Sequence, residues 1–382
     1  MARLVMATAA VSCTALASIS AALATDRQSR SQPSIPRGIT VMLTKFERLS
    51  QEPILGPRPG KFDDAGAFNP TAALDNGRTI LLYRGQDKHG ISRVGYAKSD
   101  DGVHFKALEE PVLSPTEPDE TDGIEDPRLC RDPLDHRSWI LTATAYNKTS
   151  ETAQLVGYRP AESSPKQSAD SHDHYRSPRE RPGGGLLHWR RTGIIMPCGK
   201  GTWNVHWTKS GAMVTDDNGL PLKIGGRFYM YYMGDAKDGH DQMGLACAKD
   251  GLNWQDATDK PVLPHRPGMF DSKVVEPGPH TIITKDGILL IYNGADDTLT
   301  YRTGWALFDK KNPAKLIARA QEPLFEPETS WEKKTASTDV YQAPNVVFVE
   351  GIVPDGQGGY RVYYGSADSY VGVAHTTLRS CR

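Results

Sequence analysis

Residues 92–105 read Ser-Arg-Val-Gly-Tyr-Ala-Lys-Ser-Asp-Asp-Gly-Val-His-Phe, and residues 243–254 read Met-Gly-Leu-Ala-Cys-Ala-Lys-Asp-Gly-Leu-Asn-Trp. Both stretches pass from strand-forming residues through small residues to a charged turn that ends in an aromatic residue. Each is followed by a proline and two apolar residues, at 111–113 and at 261–263. The same layout is kept more loosely within residues 155–197 and 303–325. A layout that returns along one chain indicates a repeated structural unit.

The spacing of this repeat is regular. Its apolar markers lie about 60 residues apart once residues 160–185, a hydrophilic segment, are treated as an insertion; they are Ile54, Val112, Ile195, Val262 and Leu324. Between the markers are short strand-forming runs bounded by Gly, Asp or Asn, at 79–83, 139–144, 228–232, 288–292 and 360–364. Five units of about four strands each predict an all-β protein, a single five-bladed β-propeller over residues 45–380. A β-sandwich with additions does not predict a regular period.

Composition excludes several classes of protein. The 382 residues include 45 basic and 46 acidic side chains, a net charge of −1, whereas a nucleic-acid-binding surface needs a basic excess. The five cysteines are scattered without a C-x-x-C pair, and His172 and His174 lie in the hydrophilic insertion, so we expect no metal site and no cofactor. The sequence also lacks a G-x-S-x-G elbow, a P-loop and an H-E-x-x-H motif.

The first 25 residues differ from the rest. Arg3 is the only charged residue before Asp26, and an apolar run rich in Ala and Ser ends at Ala22-Leu23-Ala24. This pattern predicts a signal peptide over residues 1–25, with a linker over 26–44, and hence a secreted or periplasmic protein. A true start at Met42 would instead make the protein cytoplasmic. The run is a poor transmembrane span, so we expect no membrane insertion.

Three carboxylates stand where apolar core residues are expected. Asp126, beside Glu125, interrupts a strand-like approach, and Glu276 and Glu350 lie inside apolar runs. A buried carboxylate is costly unless it is paired or functional, and burial raises its pKa, which suits acid–base catalysis. Three such groups from different repeats fit a glycosidase, in which one acid protonates the leaving oxygen and a second carboxylate activates water or attacks the sugar. The alternative is a structural ion pair with Arg84, Arg93 or Arg128.

Five motifs follow one another in the order of a known family. They are Gly66-Ala67-Phe68-Asn69-Pro70, Leu81-Leu82-Tyr83-Arg84, Ser92-Arg93-Val94-Gly95, Glu125-Asp126-Pro127-Arg128 and Tyr363-Tyr364-Gly365-Ser366-Ala367-Asp368. From about Lys45 to Thr377 the chain resembles glycoside hydrolase family 130, whose members are five-bladed propellers that act on β-mannosides. The resemblance implies that Asp126 is the general acid, acting through a mannose hydroxyl, and that phosphate or water attacks with inversion. It also implies that the sugar pocket is lined by Asn69, Arg84, Arg128, Asp271 and Asp368.

The chain departs from the phosphorylases of that family. Their A-R-L-G segment reads Ala153-Gln154-Leu155-Val156 here, and Tyr232-Met233-Gly234 stands where they often have a His-Arg pair. Lys209 matches a basic position of the phosphorylases, but one lysine alone makes a weak binding site for phosphate. Glu276 and Glu350 fall within two segments that have no acid in the phosphorylases. We therefore expect an inverting hydrolase of β-mannosides or related short glycans, with Glu276 or Glu350 as the base.

Several alternatives stay open. The nearest is a β-mannoside phosphorylase that releases mannose 1-phosphate, using Lys209 and the pocket arginines. Others are a five-bladed glycosidase of arabinosides, xylosides or fructosides, and a non-catalytic sugar-binding propeller, in which Asp126→Asn would reduce affinity alone. The two glutamates could also bind sugar hydroxyls. An oligosaccharide or glycoside substrate is expected in each case, while the linkage and the oligomeric state stay open.

Overall fold

The computed structural model describes residues 39–161, 185–199, 203–235 and 239–380. The predicted signal peptide, most of the predicted linker and nearly all of the 160–185 insertion lie outside the described residues. Within them, the secondary structure is almost entirely strand, and the one α-helix is α1 (Ser330–Lys333). No helix of this described part is long and apolar enough to cross a membrane.

The strands form five antiparallel blades, preceded by β1 (Val41–Leu43) and β2 (Glu47–Arg48). Blade 1 contains β3 (Gly66–Asp75), β4 (Arg78–Gln86), β5 (Ser92–Ser99) and β6 (Lys106–Ala107). Blade 2 contains β7 (Gly123–Arg131), β8 (Trp139–Asn147), β9 (Thr152–Pro160) and β10 (Trp189–Met196). Blade 3 contains β11 (Thr208–Met213), β12 (Phe228–Asp235), β13 (Asp241–Ala248) and β14 (Gln255–Asp256). Blade 4 contains β15 (Val274–Pro277), β16 (Ile282–Ile283), β17 (Ile288–Ala295), β18 (Tyr301–Phe308) and β19 (Leu316–Arg319), and blade 5 contains β20 (Val347–Pro354), β21 (Gly359–Ser366) and β22 (Tyr370–Ser380).

The two ends of the described chain meet in blade 5. β1 pairs antiparallel with β22 through Val41–Leu43, and β2 pairs with the same strand. These N-terminal strands take the outer position that β6, β10, β14 and β19 take in the other blades, so the edge of blade 5 is covered. The predicted linker therefore ends earlier than residue 44, because residues 41–43 already belong to the sheet.

The five strand-forming runs of the sequence are the second strands of the blades, β4, β8, β12, β17 and β21. Each is hydrogen-bonded on both sides, and its side chains are buried against the neighbouring blades. This explains why the runs are almost continuously apolar rather than alternating. The apolar clusters extend from each blade to the next, which closes the ring of five.

The small residue that recurs in the repeat is a glycine of the third strand, and it packs on an aromatic ring. A Cβ at Gly95 would lie 2.3 Å from the ring of Tyr83, and one at Gly372 would lie 2.2 Å from the ring of Tyr364. Both distances are far below van der Waals contact, so only glycine fits there. The tyrosine and the glycine of the repeat therefore pack directly against each other.

The same tyrosines take part in a device that we call the tyrosine pins. In each pin a tyrosine hydroxyl buried in the blade donates to a carboxylate, usually from the segment before the inner strand. In blade 1, Tyr83 donates to Asp63 over 3.0 Å, and Arg58 donates to the same carboxylate over 2.9 Å. The corresponding pairs are Tyr158–Glu120, Tyr232–Asp256, Tyr292–Asp271 and Tyr364–Glu332.

Candidate active site

The inner strands of the blades meet around the axis, and four of them are broken by a β-bulge at a corresponding point. The register shifts within β3, β7, β11 and β20. Three residues at these bulges have left-handed backbone, Asn69 with φ 46°, Asp126 with φ 50° and Ser210 with φ 54°. A bulge with a left-handed residue re-aims a side chain out of the regular alternation of the strand. Polar side chains from different blades are thereby turned towards one another.

The structure brings together the three carboxylates singled out from the sequence. Asp126, Glu276 and Glu350 come from blades 2, 4 and 5 and are 6%, 5% and 1% exposed. Their charges act on one another across the axis. Each is also held by a donor from another blade: Asn69 Nδ2 lies 2.7 Å from Asp126 Oδ1, the Ser210 hydroxyl donates to Glu276 Oε1, and Arg128 Nη1 donates to Glu350 Oε1. We call these three carboxylates and their donors the axial cluster.

Arg128 is a buried residue of this cluster, and hydrogen bonds hold its guanidinium in place. It is 1% exposed, and its guanidinium donates to the Gly278 carbonyl over 2.9 Å, to the Pro277 carbonyl over 3.1 Å and to the carboxylate of Glu350. These bonds join blades 2, 4 and 5. With its donors so largely occupied, Arg128 has little capacity left for a substrate anion. Its contacts are those of a residue that positions Glu350, while the sugar contact that the resemblance implied stays a prediction.

The other two cations near Asp126 are paired with Glu125. Arg84 Nη2 lies 2.5 Å from Glu125 Oε1, and its Nη1 lies 3.7 Å from Asp126 Oδ1. Lys209 Nζ lies 3.8 Å from Glu125 Oε2 and 4.9 Å from the centre of the Trp207 ring. Both predicted ligands therefore stand beside the acid, and each already has a carboxylate neighbour.

The two remaining predicted ligands are placed differently from each other. Asp368, with left-handed φ 47°, accepts from the backbone N–H of Ala343 over 2.8 Å and interacts electrostatically with Arg84 and Asp126. Asp271 is 0% exposed, and its carboxylate is taken up by Tyr292, Arg266 and Arg319 at 2.7–2.8 Å. Asp368 thus belongs to the axial site. The contacts of Asp271 are those of the blade 4 tyrosine pin, and its role as a sugar ligand stays a prediction.

Electrostatics separates the two central acids. Burial acts to raise the pKa of Asp126, but Arg84, Lys209 and the amide of Asn69 outweigh it and hold that pKa below its usual value. Burial raises the pKa of Glu276 to about 7, and the charge of Asp126 adds to the shift against the opposing effects of Lys209 and Ser210. In the free site Asp126 therefore ionises before Glu276, and when the pair holds one proton that proton resides on Glu276.

Glu350 and Asp368 also bind protons more tightly than usual. Burial raises the pKa of Glu350 well above its ordinary value although Arg128 opposes the shift, and it raises the pKa of Asp368 to about 6. Two buried polar atoms of the site, Asn69 Oδ1 and Glu350 Oε2, have no hydrogen-bond partner among the described residues. Buried polar atoms are normally satisfied, so these two are candidates for contacts with a bound sugar or an attacking water.

Some residues of the site carried no signal in the sequence. Ser210 was not singled out, although its neighbour Lys209 was. Asn293 was also missed: its side-chain amide donates to the Val349 carbonyl and accepts from the Val349 N–H, both over 2.9 Å, and so fixes the backbone just before Glu350. A serine and an asparagine within strands look ordinary until the backbone angles and the neighbouring blade are known. Among the described residues, no group of three or more His, Cys, Asp or Glu side chains is arranged to hold a metal ion.

Comparison with known proteins gives consistent matches over most of the chain. The family described as beta-1,4-mannooligosaccharide phosphorylase, glycoside hydrolase family 130, matches residues 58–157 and 183–381. A 1,2-beta-oligomannan phosphorylase from a Thermoanaerobacter species is 33% identical and aligned over 89% of this chain and 100% of its own length. Among solved structures, a glycosyl hydrolase from Bacteroides ovatus is 28% identical, with a TM-score of 0.70 over 90% of this chain and 95% of that one. A further structure, 29% identical with a TM-score of 0.70 over 90% of this chain and 95% of that one, is described by the statement that "the GH130 family of mannoside phosphorylases contains glycoside hydrolases that target beta-1,2 mannosidic linkages in Candida mannan".

Proposed function

The chain belongs to glycoside hydrolase family 130, and from this premise we propose that it hydrolyses β-linked mannosides with inversion at the anomeric carbon. Action on a mannoside follows from the family. The finer choice of water over phosphate as the attacking group is our inference from the side chains. It is supported by two carboxylates that stand beside the acid in the axial cluster.

We infer water as the attacking group because the cations of the site are already paired with carboxylates. Around Asp126 the described residues supply three cations, and Arg84 and Lys209 face Glu125 while Arg128 faces Glu350. The carboxylates whose charges act on Arg84 or Lys209 include Glu125, Asp126, Glu276, Glu350 and Asp368. A phosphate dianion needs cationic donors that are not already neutralised, preferably bidentate arginines. Water needs only a carboxylate that can accept its proton.

Glu276 is the better of the two candidate bases. Its pKa of about 7 lies where a general base works best, and its hydrogen-bond partner is a hydroxyl rather than an arginine. In the proposed step, Glu276 accepts a proton from water, the water oxygen bonds to the anomeric carbon, and the glycosidic C–O bond breaks. The proton of Asp126 goes to the leaving oxygen, by way of a mannose hydroxyl as the family resemblance implies. Glu350, held by Arg128, is left to accept a hydrogen bond from the sugar or the water.

This mechanism needs the shared proton on Asp126, whereas the free site holds it on Glu276. Both arrangements contain one proton in the same coupled pair, so the reactive arrangement is a minor protonation state of the free enzyme. Activity should therefore require that the pair holds one proton. The pH range of activity then reports the pair as a whole and not either residue alone.

Phosphorolysis is the second candidate, and the comparisons support it better than hydrolysis. The 33%-identical relative is a phosphorylase of 1,2-β-oligomannan, and the family as a whole is described by phosphorylase activity. In this case Lys209 and Arg84 would have to leave Glu125 to hold the phosphate. Both candidates use Asp126 as the acid and a β-mannoside as substrate. The names of the 33%-identical relative and of the 29%-identical structure make a β-1,2 linkage the first to test.

The two candidates are separated by a product assay. The protein is incubated with β-1,2- and β-1,4-linked mannobiose, with and without inorganic phosphate, and the products are read by chromatography, with Asp126→Asn as the inactive control. Hydrolysis predicts free mannose at a rate that phosphate does not increase, with α-mannose as the first anomer seen by NMR. Mannose 1-phosphate formed only when phosphate is present would establish the phosphorylase instead. Cleavage of a pentoside with no mannoside cleaved would overturn the substrate assignment.

A further inference from the structure

Ser210 is a buried residue of the axial cluster to which no role in the reaction has been given so far. It is 0% exposed, it lies at the β11 bulge with φ 54°, and its hydroxyl donates to Glu276 Oε1. A left-handed backbone at a non-glycine residue is strained, and such strain persists only where the surroundings enforce it. Serine at this point is therefore neither a free surface residue nor an unstrained packing residue.

The strain has a visible consequence for the direction of the side chain. In a regular strand, successive side chains alternate between the two faces of the sheet. The bulge between Lys209 and Ala212 breaks this alternation. The hydroxyl is thereby aimed from blade 3 at Glu276, which lies on the inner strand of blade 4.

We propose that Ser210 is a positioning residue of the hydrolytic reaction, which holds the Glu276 carboxylate in the orientation that accepts a proton from water. The proposal rests on the function proposed above, in which Glu276 is the base. The bond from Ser210 engages Oε1 and leaves Oε2 as the oxygen without a bond from Ser210. The hydroxyl donates to the ionised carboxylate and thus favours the form that the reaction needs.

The effect on protonation follows from the groups around Glu276. Burial and Asp126 favour its protonated form, while Lys209, the Ser210 hydroxyl and Arg128 favour the ionised form. Two further neighbours that interact with it are Glu350 and Tyr301. Removal of the Ser210 hydroxyl removes one of the three interactions that favour the ionised form of Glu276. The shared proton then resides on Glu276 more completely, and the reactive state with the proton on Asp126 becomes rarer.

The test uses the Ser210→Gly and Ser210→Ala variants of the whole protein. Glycine removes the hydroxyl and tolerates the left-handed backbone, whereas alanine removes the hydroxyl and keeps the strain. For both variants we expect the maximum of kcat/KM on β-1,2-mannobiose to fall about tenfold, and its alkaline limb to move up by about one pH unit, as for a hydrogen bond to a charged group. If Ser210 has a purely structural role, the variants differ in thermal stability and the pH profile does not move.

A matched control is Ser99→Gly. Ser99 is also buried, and its hydroxyl donates to an acid, Asp101, over 2.9 Å at the end of β5, with its other hydrogen bond coming from Gly102 N–H and not from the cluster. This variant should leave the pH profile unchanged. An activity-independent measurement is the infrared titration of the carboxyl band that Glu276→Gln removes. An unmoved titration in Ser210→Gly would overturn the role of Ser210 alone, whereas full activity of Glu276→Gln would overturn Glu276 as the base.

Discussion

The tyrosine pins and the axial cluster both hold buried carboxylates and differ in how the charges of these carboxylates are satisfied. In a pin, one carboxylate receives a tyrosine hydroxyl and usually an arginine, as Asp271 does from Tyr292, Arg266 and Arg319. In the axial cluster, several carboxylates share fewer donors, and Glu350 Oε2 has no partner among the described residues. A satisfied acid stabilises the fold, whereas an acid with an unpartnered oxygen keeps that oxygen free for chemistry.

The largest effect is expected from the acid of the axial cluster. Asp126→Asn removes the proton donor and should lower kcat on a β-mannoside by about 10³-fold, within the range for general acids. Binding of the sugar and the melting temperature should change little, because the amide keeps the shape of the side chain. The measurements are steady-state kinetics and thermal unfolding of the same sample. A variant that lost affinity but had no turnover to lose would instead indicate a sugar-binding protein.

The matching change in a pin should act on stability and not on rate. Asp271→Asn leaves Arg266 and Arg319 beside a neutral side chain in a buried place, and breaking such a buried pair costs about 3 kcal/mol of unfolding free energy. The expected result is a lower midpoint in urea with kcat of the remaining folded protein unchanged. A large rise in KM without loss of stability would return Asp271 to the sugar pocket.

We expect the pH dependence of activity to report on the axial cluster. Because burial raises the pKa of Glu276 to about 7, the Asp126–Glu276 pair loses its last proton as the pH rises through that value. The pair must hold one proton to react, so kcat/KM should fall about tenfold per pH unit above pH 7. A profile of kcat/KM from pH 4 to 9 measures this. An activity that stays constant to pH 9 would contradict the shared-proton mechanism.

The smallest effect is expected from a single hydroxyl in a pin. Tyr83→Phe removes the bond to Asp63 but leaves the ring packed on Gly95, so stability should fall by about 1.5 kcal/mol, as for a hydrogen bond to a charged group. The exposed Tyr341, whose side chain is mostly in solvent, supplies the control variant Tyr341→Phe, which should unfold like the unmodified protein. Equal stability of both variants would show that the pins add nothing to the fold.

The residues of the two regions differ in how visible they were from the sequence. Glu276 and Glu350 stood out because a charge within an apolar run is unusual, and Asp126 was marked by its motif. The sequence did not distinguish the surroundings of Asp271 from those of Asp368. Arg319, which forms an ion pair with Asp271, lies several strands further along the chain, in β19. Ser210 and Asn293 were missed, because a left-handed angle or a bond to another blade leaves no trace in residue type.

The amino-acid sequence alone determined three features: the regular repeat, the glycine that packs on a tyrosine ring and the acids within apolar strands. These features depend on local strand-forming tendency and on spacing along the chain. The pairing of charges at the axis was decided only by the tertiary structure. Side chains from different blades, up to 222 residues apart as Arg128 and Glu350 are, meet there at hydrogen-bond distance. The proton affinity of a buried carboxylate is set by such neighbours as well as by its burial, and the neighbours cannot be read from position in the chain.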